Sequence, residues 1–343
     1  MKKIRIISLA ISTMLLFSSV VNAASFSDMP TDPEAAAVIE KAVANGILSG
    51  STDGTVMPDA YITRAEMASI ITRACGATKE GNIAAFSDVK PDDWYYSAVS
   101  KAYAMGALSG SDNKMNPTNY ITFQECFTVL SQVFDLVPEY TLVGSISVDD
   151  MPANSVLVGR RLYDLSALTN FYDGQDVADW AKIFVAGVVY HGGWNGIDGY
   201  ITPNNNITRL QFATVIDNLF KNFINTPGTY KTLPEGNTLI RCDGVVLEDI
   251  VSEDDIYIAD GVSANGVTIN NVHTTGRLVV RGCATPIIDY NGGVTFGECG
   301  ILITGHFDQV RIIRPYINLD MLGATYETIY SIPQTSVSAN MKM

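Results

Sequence analysis

Ile62-Thr63-Arg64-Ala65-Glu66 reads as the head of a helix. A Thr at the N-cap with Glu three residues on makes a capping box. The Thr hydroxyl accepts from the N3 amide, and the cap amide donates to the Glu carboxylate. The same arrangement returns as Ile121-Thr122-Phe123-Gln124-Glu125 and as Ile207-Thr208-Arg209-Leu210-Gln211. Gln211 can accept as Glu66 and Glu125 do, so the substitution should spare the fold.

Outward from these heads, three segments keep step. An opening Phe (Phe26, Phe86, Phe171) precedes the Thr by 37, 36 and 37 positions. A Pro (Pro58, Pro117, Pro203) stands five residues before that Thr, and a Gly (Gly50, Gly110, Gly196) seven or eight before the Pro. Self-similarity at fixed spacing marks a repeat architecture. Each copy reads as helix, loop, helix. Apolar residues at helical spacing, such as Val38, Ile39, Ala42 and Val43, or Ala98, Val99, Ala102 and Tyr103, build the first helix. Gly46 or Gly106 ends it, since glycine takes the left-handed cap conformation readily.

Arg64 and Arg209 occupy the first helical position, where a cation meets the positive end of the helix dipole and gains nothing locally. Helix amides beside a guanidinium fork would make an anion site suited to a carboxylate or phosphate. A solvated surface arginine is the alternative, and the residue alone leaves both open.

An F-x-D opening, a Trp, a helix ending near Ile47-Leu48-Ser49-Gly50, a G-x-x-x-P turn and I-T-R-A-E together resemble S-layer homology repeats, over residues 26 to about 224. The resemblance implies a pseudo-threefold, mostly helical unit whose inter-repeat grooves bind a secondary cell-wall polysaccharide, including polymers bearing ketal-linked pyruvate. It assigns glycan contact to Arg64 and Arg209, to Trp94 and Trp180, and to the loop glycines Gly50, Gly110 and Gly196. Phe123 replaces the arginine in the second copy, and Glu34 stands near the tryptophan position in the first. Two of three grooves at best are therefore expected to be intact. Asp28, Asp88 and Asp173 match the opening Asp, which can hold its own repeat's backbone or touch ligand.

The second and third copies start 85 residues apart, against 60 for the first two. The connector between them carries Val156-Leu157-Val158 and Leu162-Tyr163-Asp164-Leu165, and is expected to pack on the helical unit. Beyond Pro227-Gly228, the triplets at Val245, Ile256, Val267 and Leu278 begin at an 11-residue step, with Asp260-Gly261 and Asn265-Gly266 as turns. Short strands at a fixed step suggest a parallel β-solenoid, with a β-sandwich as the alternative. The expected fold is therefore multidomain: a mostly α-helical S-layer homology pseudo-trimer followed by an all-β right-handed parallel β-helix.

The opening residues, with Lys2, Lys3 and Arg5 before an apolar run from Ile6 to Val21 and small residues at Ala23-Ala24, read as a signal peptide. Its loss would take the formal charge from -14 to -17, a surface that repels nucleic acid and anionic lipid. No stretch has the length of a membrane span. The expected layout is signal peptide 1–24, repeats at 25–80, 84–136 and 171–224, connector 137–170, linker 225–236, solenoid 237–332 and tail 333–343. Cys75, Cys126, Cys242, Cys283 and Cys299 lack metal spacing and read as buried thiols, with one C-terminal disulfide as the alternative.

The acidic run Glu248, Asp249, Glu253, Asp254, Asp255 lacks a calcium-loop pattern and reads as a solvated corner. His191, His273 and His306 stand without a visible nucleophile or metal partner, so no catalytic residue, cofactor or metal is assigned. The chain is expected to be a secreted, non-enzymatic wall anchor with the solenoid displayed or acting as scaffold. A wall-anchored carbohydrate-active enzyme and a self-associating surface-layer component are the alternatives.

Overall fold

The computed structural model describes residues 26–144, 146–147, 150–263, 266–282, 286–288, 294–296, 301–315, 317–333 and 336–339. The expected signal peptide lies outside the described residues, as do Cys283 and Cys299. Cys75 and Cys126 are buried free thiols and Cys242 is half-buried and free.

Helices α1 (Pro33–Ala44), α2 (Arg64–Ala74), α3 (Tyr96–Ala104), α4 (Phe123–Phe134), α5 (Lys182–Tyr190) and α6 (Arg209–Leu219) come in pairs, one pair per repeat. The second helix of each pair starts at a capping box, at Thr63 with Glu66, Thr122 with Glu125 and Thr208 with Gln211. Just before these caps lies a closed ring of backbone hydrogen bonds. The Ile62 amide donates to Ile207 O at 3.0 Å, Ile207 to Ile121 O at 3.1 Å, and Ile121 to Ile62 O at 3.1 Å. All three isoleucines are fully buried, so three repeats meet on one pseudo-threefold axis and their heads depend on one another.

The connector forms an antiparallel sheet of β1 (Tyr140–Leu142), β2 (Ser155–Val158) and β3 (Arg161–Asp164), in the order β1-β3-β2. Leu165 and Leu168 enter the helical core and Val156 packs against it.

The remaining strands are β4 (Asn222–Ile224), β5 (Gly228–Tyr230), β6 (Thr238–Ile240), β7 (Val245–Glu248), β8 (Val251–Ser252), β9 (Ile256–Ile258) and β10 (Val267–Val280). They continue as β11 (Pro286–Ile288), β12 (Val294–Phe296), β13 (Ile301–Ile312), β14 (Asn318–Ser331) and β15 (Ser336–Ala339). Apart from the antiparallel pair β11-β12, these strands pair in parallel, with a main order of β15-β14-β13-β10-β9-β6-β4. Alternation along each strand divides its side chains between two cores. Leu239, Tyr257 and Val279 belong to the core shared with the helices, while Ile240, Ile256, Ile258, Leu278 and Val280 fill a second core within the strands. Burial on both faces explains the unbroken apolar triplets.

This corrects the expected fold class. The chain is 26% helix and 27% strand, and its sheets are not closed, so a mostly helical unit followed by a right-handed β-helix does not describe it. The 11-residue step misleads for a physical reason. Val267 pairs with Val245 and Leu278 with Ile256, so alternate triplets stack while β10 joins two consecutive ones into a single 14-residue strand.

Arginines just beyond β6 and β10 hold the helix ends. Arg241 donates to Asn45 O and Arg73 O, at the C-termini of α1 and α2. Arg281 donates to Met105 O and Val133 O, at the C-termini of α3 and α4. Each guanidinium thus joins the two helices of one repeat at their negative dipole ends. In the third repeat Asn237 caps Leu219 O at 2.9 Å. His191 ends α5, its Nε2 lying 3.1 Å from Val137 O.

Burial, aided by the nearby Arg277 charge and opposed by Asp255, pushes the His191 pKa down to about 4. The folded value lies below the ordinary unfolded one of about 6.5. The neutral ring therefore contributes stability above that pH, and the contribution is lost as pH falls toward 4. We expect chemical unfolding to show an acid loss on the order of 2 kcal/mol between pH 7 and pH 4.5. His191→Gln should flatten that limb; an unchanged slope would remove His191 as its source.

Candidate functional site

Each helix head is seated on the loop of a neighbouring repeat. The Arg64 and Ala65 amides donate to Asn119 O and Pro117 O, Phe123 and Gln124 to Asn205 O and Pro203 O, and Arg209 and Leu210 to Ala60 O and Pro58 O. The third amide of each helix is taken by its cap threonine. The expected anion site on free helix amides is therefore corrected: these donors are consumed by the inter-repeat contact.

The arginine side chains follow the same direction. Arg64 Nε donates to Met115 O at 3.0 Å and Nη2 to Ser109 O at 3.2 Å. Arg209 Nε donates to Val56 O at 2.8 Å and Nη2 to Ser49 O at 2.9 Å. Each guanidinium straps both ends of a neighbour's loop, so Arg64 meets the Gly110 loop and Arg209 the Gly50 loop. Burial lowers both arginine pKa values, against the opposing charges of Glu125 on Arg64 and Glu66 on Arg209. Both remain cations at any physiological pH. At the third junction Phe123 replaces the cation and its ring packs 5.1 Å from that of Trp194.

The other motif residues also have local duties. A Cβ on Gly50, Gly110 or Gly196 would come within 2.0, 2.3 or 2.6 Å of Cε1 of Phe26, Phe86 or Phe171. Only glycine lets the opening ring lie against the loop. Asp28 accepts from the Val56 and Met57 amides, Asp88 from Met115 and Asn116, and Asp173 from Ile201 and Thr202. The second residue of each pair precedes the loop proline and has a positive φ: 49° at Met57, 50° at Asn116 and 58° at Thr202. The carboxylate holds a backbone that would otherwise be disfavoured.

Trp94 and Trp180 stand just before α3 and α5 and are 69% and 53% exposed. Among the described residues neither ring forms a cation–π pair with Arg64 or Arg209. The residue reading missed Tyr61 and Tyr120, two positions before the cap threonines, exposed and edge-to-face at 5.9 Å. Tyr172 and Tyr200 form a second exposed pair. A cleft of about 400 Å³ between the Gly196 loop and the helix heads is lined by Tyr61, Ile197, Tyr200, Asn206, Thr208 and Gln211, among others. Its signal in the sequence was the repeated aromatic before the motif, broken by Asn206 in the third copy.

The acidic run is not simply solvated. Asp254 accepts from the Gly236 amide at 2.7 Å, and Asp255 pairs with Arg277 at 2.6 Å. His306 has partners that the sequence hid, with Nδ1 2.8 Å from Thr325 Oγ1 and Nε2 3.5 Å from Asp308.

Three helix–loop–helix repeats with capped, loop-bound heads interlock in one module. The model of the S-layer homology domain matches residues 25–68, 85–125 and 170–213, and the chain is a protein with three S-layer homology domains. Over 198 residues, 57% of this chain, it is 28% identical to an amylopullulanase of Thermoanaerobacterium thermosulfurigenes, covering 10% of that protein. It is equally similar over 198 residues to exoglucanase XynX of Acetivibrio thermocellus, covering 16% of it. A surface-layer 125 kDa protein of Lysinibacillus sphaericus is 28% identical over 194 residues, 55% of this chain and 14% of that one. The chain thus spans a sixth or less of these relatives. Its three domains make it a secreted, cell-wall or surface-associated protein, and they are modules of wall anchoring. Among the described residues no helix is long and apolar enough to cross a membrane.

Proposed function

We propose that the three-domain unit holds the protein on the cell wall without a covalent bond, by binding a secondary cell-wall polysaccharide that carries acidic groups such as ketal-linked pyruvate. The observation that carries this reading is the pair of arginines, Arg64 and Arg209, each set into a neighbour's glycine loop at a capped helix head. Each spends Nε and Nη2 on loop carbonyls, which orients the fork. Arg64 keeps Nη1 for a carboxylate, while Arg209 is 7% exposed with its Nη1 3.9 Å from Glu66 and acts by holding the Gly50 loop in place. Exposed Trp94, Trp180, Tyr61 and Tyr120 supply ring faces against which the C–H faces of a sugar can pack. The Phe123 junction lacks the cation and serves, in this reading, as a weaker or purely structural groove.

The C-terminal sheet is the displayed or scaffold part, and the chain works by attachment rather than catalysis. Co-sedimentation of the full chain with purified sacculi tests the reading. Retention is expected before extraction of the non-peptidoglycan polymer and should fall at least about tenfold after it. Equal retention on extracted sacculi would sink the proposal.

A further inference from the structure

The connector has no role in the wall reading, yet it builds a groove. A cavity of about 830 Å³ lies between the connector sheet, the end of α5 and the outer part of the parallel sheet. Its size falls within the range of small-molecule sites. Three arginines line it, and two are neutralised: Arg277 by Asp255 at 2.6 Å, and Arg311 by Asp135. Arg161 is not. Among the described residues no carboxylate lies within ion-pair distance of it.

Arg161 is nevertheless held in place. Its guanidinium carbon sits 5.3 Å from the Tyr140 ring centroid and 4.7 Å from that of Tyr330. Arg311 lies at the same 4.7 Å from Tyr330, so two cations share one ring. A cation fixed beside a second cation, with no anion of its own among the described residues, is a poor arrangement for stability and a good one for holding a carboxylate. Around it the groove offers the exposed ring of Tyr190 and polar groups on Gln309, Thr328 and, at the rim, Glu139. Among the described residues, a cation with no carboxylate at ion-pair distance, an open aromatic face and the neutral hydrogen-bonding groups of Gln309 and Thr328, with Glu139 exposed at the edge, suit a sugar ring bearing a carboxylate. They do not match a fully apolar or polyphosphate ligand.

We propose that this groove binds a carboxylate-bearing saccharide, with the carboxylate on Arg161 and a sugar face against Tyr190. The site is separate from the helix-head arginines and does not rest on the wall reading. Calorimetric titration of the full chain with trigalacturonate tests it. Binding is expected, with maltotriose, the uncharged control, giving no comparable heat. Arg161→Gln should weaken binding at least about tenfold, and Arg161→Lys by less. The Arg64→Gln/Arg209→Gln chain should bind as the parent does, which keeps this outcome apart from the wall-anchoring one. If Arg161→Gln unfolds the connector, exposed Tyr190→Ala gives the reading, with a several-fold loss expected. Absence of trigalacturonate binding at millimolar concentration, equal binding of maltotriose, or an unchanged affinity in the folded Arg161→Gln or Tyr190→Ala chain would overturn the proposal.

Discussion

Arg281→Met should lower the unfolding free energy by about 3–5 kcal/mol, the range for removing one partner of a buried ion pair. Arg281 is 2% exposed, and its Nε lies 2.7 Å from Asp260, itself largely buried. The same guanidinium donates to Met105 O and Val133 O. Methionine fills similar volume but supplies no donor, so a carboxylate and two helix-end carbonyls lose their partner together. Because the contact joins two helices to the strands, the loss should appear as a single shifted transition in urea with an unchanged slope. Asp260→Asn in the Arg281→Met background should recover part of the loss, since it removes the stranded charge. A loss below about 1 kcal/mol would mean that the joint is not where the two parts depend on each other.

Asp173→Ala is the second large effect, about 3–5 kcal/mol, from two hydrogen bonds of backbone amides to a charged acceptor. The Ile201 and Thr202 amides lie 2.8 Å from its two oxygens, and Thr202 keeps a φ of 58° only while they are held. Released, the loop before Pro203 should relax toward the extended conformation that proline imposes on its predecessor. Pro203 O would then leave the Gln124 amide, loosening the seat of α4. Amide hydrogen exchange should therefore rise at Gln124, in another repeat, as well as at Ile201. Faster exchange confined to residues 196–203 would contradict the interlocked heads. Asp173→Asn, which keeps one acceptor, should cost less than half as much.

Much of this is legible in the sequence. The cap threonines with Glu66, Glu125 and Gln211 announce three helix starts, because a capping box is a local chemical requirement. The Phe-to-Thr spacing announces three copies. The contacts between copies are not local. Nothing in Ile-Thr-Arg says that the Arg64 amide will meet Asn119 O, so free amides were expected where none exist.

Arg241, Arg277, Arg281, Arg311 and Arg314 give no signal in the sequence for the same reason. Their helix partners lie up to 210 positions away, as with Arg314 donating to Ala104 O at the end of α3, and an isolated arginine in or just after a strand carries no mark of the helix end it meets. The triplets of the C-terminal part showed buried strands correctly, but periodicity cannot reveal that pairing skips every other triplet. The sequence puts forward both arginines and the loop glycines as candidates, and the structure places them at the inter-repeat loops. The sequence does not mark Tyr61, Tyr120 or the connector groove, whose residues gather from 137 to 330 only through folding.

The most direct measurement of wall anchoring is equilibrium titration of the purified, non-peptidoglycan wall polymer into the full chain and into Arg64→Gln/Arg209→Gln, with both unfolding transitions recorded. The account predicts saturable binding by the parent chain, weakened at least about tenfold in the double variant, which loses the Arg64 contact and the seat that Arg209 gives the Gly50 loop. A folded double variant that binds the polymer as tightly as the parent, or a parent chain that does not bind it, would contradict the account.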